Sequence, residues 1–172
     1  MKFVKFAFLG LICISLAFVS LGIFHGEVKY ENSIEIEASV EDSYNTFITD
    51  SLASEWLMGY VGNEVLSGEP LRPGSRFIMK FEQDGQSYEF IEELKAIREN
   101  ELFAFDMETD FFIGSVEIIF EGDENRTTIT VYSSLEGNNI IYKSFLYLLK
   151  SSLQNQSQMN YDLLKEVIER EK

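Results

Sequence analysis

The chain has 172 residues, 45% of them hydrophobic, 14% aromatic and 25% charged, which fits one folded domain and excludes wholesale disorder. Its 29 acidic residues against 14 Lys plus Arg give a net charge of -15, a surface that repels phosphate backbones, so no nucleic-acid partner is expected. The single cysteine, Cys13, and the single histidine, His25, lie in or beside the N-terminal apolar run. The rest of the chain therefore has no thiol and no imidazole. That excludes disulfides, Cys- or His-based nucleophilic catalysis and Cys/His zinc sites, and no cofactor is expected.

Phe6 to Phe24 carries no charge and follows Lys2 and Lys5. At about 1.5 Å per residue the run is long enough to cross a bilayer core of roughly 30 Å as a helix. Residues 1–26 are expected to form a single-pass transmembrane anchor, the alternative being a cleaved signal segment with the small residues Ser20 and Gly22 ahead of the cut. The two lysines favour a cytoplasmic N-terminus, which puts residues 27–172 outside the cytoplasm. On the alternative, the domain is secreted or periplasmic.

Lys29 to Ala38 alternates, with Tyr30, Ile34 and Ile36 on one face, and reads as a half-buried strand. Ser39 and Asp42 make a start like a capping box. Val40, Tyr44, Phe47 and Ile48 then share one face of a helix. Asp50 or Ser51 is expected to cap a second short helix through Trp56 and Leu57, ended by Gly59 and Gly62. Six strands follow: Glu64–Leu66, Ser75–Gln83, Tyr88–Arg98, Leu102–Glu108, Phe112–Glu121 and Thr127–Leu135. Turn residues separate them, and Asp84-Gly85 is the strongest hairpin signal. From Ile140 to Glu171 there is no Gly or Pro, and an apolar stripe at helical spacing predicts one long helix. Its middle, Gln154 to Gln158, is polar, so that stretch either bulges into solvent or faces a cavity.

The order of strand, two short helices, six strands and a long C-terminal helix resembles the helix-grip fold of the START-like (SRPBCC) superfamily, in particular its polyketide cyclase/dehydrase and lipid-transport branch. The segments that carry the resemblance are Ile34 to Ser39, Trp56, Gly68 with Pro73 to Phe77, Glu92 to Asn100, Thr127 to Gly137, and Leu163 to Lys165. The resemblance implies an α+β domain, a curved antiparallel sheet of about seven strands gripping the last helix, with a hydrophobic cavity between them. Here that domain is preceded by one transmembrane helix.

Aromatics crowd the predicted strands, and the candidate cavity residues are Trp56, Phe77, Phe81, Tyr88, Phe90, Phe103, Phe105, Phe112, Phe120, Tyr132 and Gln156. Large rings close cavities as readily as they line them, so a filled interior is the competing expectation. Trp56 and Tyr60 are placed near the mouth beside the Pro70 to Gly74 loop, with packing of Trp56 against the sheet preferred over a gate. Among the strand acids only Glu92 shares parity with Tyr88, Phe90 and Leu94 and should point inward, whereas Asp106 should face solvent. Glu92 is the one candidate acid–base group, but a structural pairing with Arg76, Arg98 or Tyr132 is preferred. The functional expectation is a membrane-anchored binding module for a hydrophobic small molecule or lipid. A protein-interaction domain of the cell envelope is the alternative, and a cyclase or hydratase a more distant one.

Overall fold

The structure, a computed structural model, describes residues 2–172. Helix α1 (Lys2–Phe24) leads within two residues into β1 (Glu27–Ile36), followed by α2 (Val40–Ile48) and α3 (Asp50–Trp56). Strands β2 (Tyr60–Ser67), β3 (Arg76–Gln83), β4 (Gln86–Arg98), β5 (Leu102–Glu108), β6 (Phe112–Gly122) and β7 (Thr127–Gly137) precede helix α4 (Ile140–Glu171). The strands form one antiparallel sheet in the order β1-β7-β6-β5-β4-β3-β2. The first strand closes beside the last because the two short helices carry the chain across to the opposite edge.

Local chemistry accounts for most of these boundaries. Ser39 Oγ accepts the Asp42 N–H at 3.0 Å, the side-chain half of a capping box, and starts α2. The cap of α3 is Thr49, one residue ahead of the sequence expectation; its hydroxyl donates back to the Asn45 carbonyl at 2.6 Å and makes no capping bond to α3. Asp50 is free for another task, described below. Asp84 and Gly85 both hold positive φ, 52° and 76°, as a two-residue hairpin between paired Gln83 and Gln86 requires. Asn139 Oδ1 accepts the N–H groups of Ile141 and Tyr142 and begins α4.

Gly62 corrects the expectation for this region. It does not end a helix but sits inside β2, at a bulge between Tyr60 and its next paired neighbour. The bulge breaks the alternation, which is why only Glu64 to Leu66 reads as strand from sequence. Further register shifts, at Val65–Ser67 in β2 and Leu94–Ala96 in β4, add to the bend of the sheet around α4.

The main core lies between the sheet and the C-terminal half of α4. Ile36, Ile118, Ile129, Leu164 and Ile168 are essentially free of solvent there, and Phe47 and Phe120 pack edge to face. In the polar middle of α4, Gln156 and Ser157 face the cavity, one of the two sequence alternatives, while Gln154 and Gln158 have a structural task that neither described. Gln154 donates to the Glu31 carbonyl at 2.9 Å and Gln158 to the Ser33 carbonyl at 3.3 Å, while Asn32 donates to Gln158 at 2.9 Å. These amides cover the open edge of β1, where unpaired backbone groups would otherwise offer a template for a foreign strand.

Residues Phe3–Phe24 of α1 are long and apolar enough to cross a membrane, and almost all of that span is exposed. Only its last two turns touch the domain, and none of the core clusters contains an α1 residue. The contact is a close one. The Gly22 N–H donates to Ser144 Oγ at 3.0 Å, and Phe18 meets Phe145 edge to face at 4.9 Å. A Cβ at Gly22 would collide with the backbone of α4 at Ile140. Gly22→Val is therefore expected to lift α1 off α4, at a cost on the order of 1–3 kcal/mol to that contact. The measurement is the yield of a disulfide between Phe18→Cys and Phe145→Cys in a Cys13→Ser background, which should fall sharply. An unchanged yield would show that the glycine does not set the approach.

Candidate functional site

Between the concave face of the sheet and α4 lies a cavity of about 640 Å³. Its size is that of small-ligand pockets in general. Alternation decides the walls. The inward residues of β3 are Phe77, Met79 and Phe81, those of β4 are Tyr88, Phe90, Glu92 and Leu94, and those of β5 are Phe103, Phe105 and Met107. Phe112 and Val116 continue the wall on β6, and α4 contributes Leu153, Gln156, Ser157, Asn160 and Tyr161. Pro70 and Leu71 of the β2–β3 loop stand at one end. The rings leave this volume unfilled because they stack in their own rows. Phe81 lies between Tyr88 and Phe90 at 5.3 and 5.4 Å, and Phe103 meets Phe105 at 6.1 Å. Rings that pack on one another along the sheet do not reach across to the helix.

Of the sequence-selected residues, Trp56, Phe77, Phe81, Tyr88, Phe90, Phe103, Phe105, Phe112, Gln156 and Glu92 all border this one cavity. Two do not. Phe120 is inward but lies beyond the cavity's end, packed against Tyr44 and Phe47 in the core. Tyr132 is on the convex face, 45% exposed, beside Lys95 and Asp106. In β7 the odd positions Ile129, Val131, Ser133 and Leu135 are the buried ones, so an even residue faces out. Residues missed from sequence include Tyr30, Tyr161 and Leu153. Tyr161 belonged to a helix whose facing was ambiguous in its polar middle, but Tyr30 already shared the inward parity of β1.

Trp56 is 5% exposed and wedges between Phe47 of α2 and Tyr161 of α4, at ring separations of 5.5 and 6.3 Å. It thus fastens α3 to the two neighbouring helices as well as to the core, and it does not gate a mouth. Its Nε1 has no hydrogen-bond partner. Tyr60 donates its hydroxyl to Asp50 Oδ1 at 2.7 Å, and Asn63 donates to the same oxygen at 2.6 Å. Burial, then the hydrogen bond to the Asp50 carboxylate, push the Tyr60 phenol up to about 12. Proton transfer from this hydroxyl near neutral pH is disfavoured, and the trio acts as a tie between α3 and β2.

Glu92 is the chemically distinctive group. Its inward position follows from parity, but none of the expected partners reaches it. Arg76 faces the convex side, 3.8 Å from Glu93, and Arg98 pairs with Glu101 at 3.2 Å. Tyr132 is on the other face, and no ion pair or hydrogen bond to the Glu92 side chain is formed among the described residues. The residue keeps some contact with the space of the cavity but is otherwise enclosed by protein. Burial alone, with no cation to offset it, raises its carboxyl to about 7. Asp106 is solvent-facing and pairs with Lys95 at 3.1 Å. No group of His, Cys, Asp and Glu able to hold a metal ion occurs among the described residues.

No family model and no curated protein matches the chain. Solved structures do. Ara h 8.0201 matches with a TM-score of 0.67 at 12% identity, over 83% of this chain and 98% of that one. A protein of Thermus thermophilus matches with a TM-score of 0.64 at 22% identity, over 83% and 96%. The di-domain aromatase/cyclase BexL from the BE-7585A biosynthetic pathway matches with a TM-score of 0.61 at 14% identity, over 86% of this chain and 52% of BexL. At these identities the likeness establishes the fold. Together with the seven-stranded curved sheet closed by α4, it gives the class: a helix-grip fold, carrying an additional N-terminal apolar helix.

Proposed function

We propose that the chain is a membrane-anchored binding module that takes up a hydrophobic small molecule or the acyl part of a lipid between its sheet and α4. The observation that carries this reading is the cavity itself, about 640 Å³, walled mainly by aromatic and aliphatic side chains of the sheet and closed by α4 together with α2 and α3. Such walls favour an occupant that is itself apolar, because both surfaces leave water when it enters, worth about 25 cal/mol per Å² of apolar surface buried. Gln156, Ser157 and Asn160 give polar atoms on one side for a head group, and Glu92 gives a carboxyl on the other. The apolar α1 supports attachment to a bilayer, with the two N-terminal lysines favouring a domain on the extracytoplasmic side. A cyclase reading finds no support in a catalytic pair, because Glu92 has no acid, base or cation bonded to it.

Trp56 is the only tryptophan in the chain and borders the cavity, so it is a built-in reporter. Residues 27–172 contain every member of the core clusters, so they carry the whole hydrophobic core into the test. Titration with a brominated fatty acid should quench Trp56 emission in a saturable way, and raising the salt concentration should leave the midpoint unchanged. Linear, unsaturable quenching would contradict a cavity site. A midpoint that shifts strongly with salt would place the interaction on the charged surface.

A further inference from the structure

All 29 acidic residues lie outside two stretches, residues 1–26 and residues 137–161. The two acid-free stretches are far apart in sequence and pack against each other, through the end of α1 and the first half of α4. His25 stacks on Tyr147 at 4.0 Å and extends the contact. Beside this contact α4 presents an apolar face to solvent. Ile141, Phe145, Leu148 and Leu149 follow the spacing i, i+4, i+7, i+8 and are 48–57% exposed. Phe111, 56% exposed in the β5–β6 turn, adds a ring next to Tyr142 at 5.3 Å. Soluble surfaces seldom carry a contiguous apolar patch of this kind without an occupant. Lys143 and Lys150 are the only charged residues in the acid-free stretch of α4; both lie on the side of the helix opposite this apolar face, and Lys143 pairs with Glu136.

We propose that the first half of α4, with Phe111, beds into the headgroup layer of the same bilayer that α1 enters, so that the domain lies on the membrane by a fixed face. Continuity selects this occupant. The patch begins where α1 leaves the domain, and α1 brings the bilayer to that point. Charge permits the same face. A body of net charge -15 is repelled by an anionic lipid surface, and least so along a stretch of α4 that carries no acidic residue. The apolar side chains sink among the upper acyl segments, as in other helices that lie in the interface plane. The other side of α4, with Leu153, Gln156 and Ser157, still faces the cavity. The inference rests on α1 being a membrane helix, as proposed above.

The test uses the full chain with Cys13→Ser and one new cysteine, Leu148→Cys, carrying an environment-sensitive fluorophore. Leu149→Cys serves as a second reporter and Glu124→Cys, in the β6–β7 turn, as the solvent control. The protein is reconstituted into phosphatidylcholine vesicles containing some phosphatidylglycerol, with or without a lipid spin-labelled near the headgroup. Flotation of the vesicles first checks that the chain is inserted. The proposal expects the spin-labelled lipid to cut emission at positions 148 and 149 at least about twofold and to leave position 124 unchanged, with aqueous iodide acting in the reverse order. Equal iodide quenching at all three positions in floated protein overturns the proposal and leaves the anchor intact. Protection of 148 and 149 from both quenchers overturns it in favour of a protein partner or a second copy. Failure of the chain to float overturns the anchor and the proposal together.

Discussion

Glu92→Gln is expected to stabilise the protein at pH 8 by about 3 kcal/mol and to leave it unchanged at pH 4. The folded carboxyl, raised by burial to about 7, keeps its proton while the unfolded chain, at its usual 4.5, has lost it. Between those values the folded state binds more protons than the unfolded state, so this group makes stability fall as pH rises. Its penalty is absent below the lower value and complete above the higher one. Glutamine has the shape of the protonated acid and no charge to desolvate, so its contribution is flat. Urea unfolding of both proteins from pH 4 to pH 8 measures the difference directly, and taking the difference cancels the repulsion among the other carboxylates of this acidic chain. Parallel curves would mean that Glu92 is hydrated or paired in solution and is not a bare carboxyl in an apolar cavity.

The second large effect concerns the cavity. Indoles at two wall positions of α4, Leu153→Trp with Ser157→Trp, are expected to occupy much of the space and weaken uptake of an acyl ligand by at least about tenfold. Because the rings enter an existing void, the thermal midpoint should hold or rise, in contrast to the usual cost of overpacking a filled core. Isothermal titration with a fatty acid and a melting curve, run on residues 27–172, separate the two readouts. A variant that melts early and still binds would show that the helix moves outward and that the site lies elsewhere. A neutral Glu92 also favours an apolar occupant, so affinity of the unmutated protein should decline above pH 7, and the decline should vanish in Glu92→Gln.

Period-two alternation makes most of this fold and the inward turn of Glu92 legible in the sequence. The same rule excludes Tyr132 from the cavity, since Ile129, Val131 and Ser133 mark the buried parity of β7. What alternation cannot show is the register between strands. Register sets Arg76 across from Glu93, whereas its outward turn, away from Glu92, already follows from the inward parity of Phe77, Met79 and Phe81. The bulge at Gly62 hid the first half of β2, because an extra residue resets the alternation. The amides of Gln154 and Gln158 read from sequence as a solvent or cavity feature, but they hydrogen-bond the edge of β1. Gly22 reads from sequence as a small residue near a cleavage point. In three dimensions it is the point where α1 comes within backbone contact of α4.

The central claim is an apolar occupant held between sheet and helix. Native mass spectrometry of residues 27–172, purified without detergent and then extracted for lipid, tests it most directly. The account predicts a one-to-one adduct whose extract is an apolar molecule or acylated lipid, and which is lost in the Leu153→Trp, Ser157→Trp variant. A clean unliganded mass that does not change after incubation with membrane lipids would contradict it.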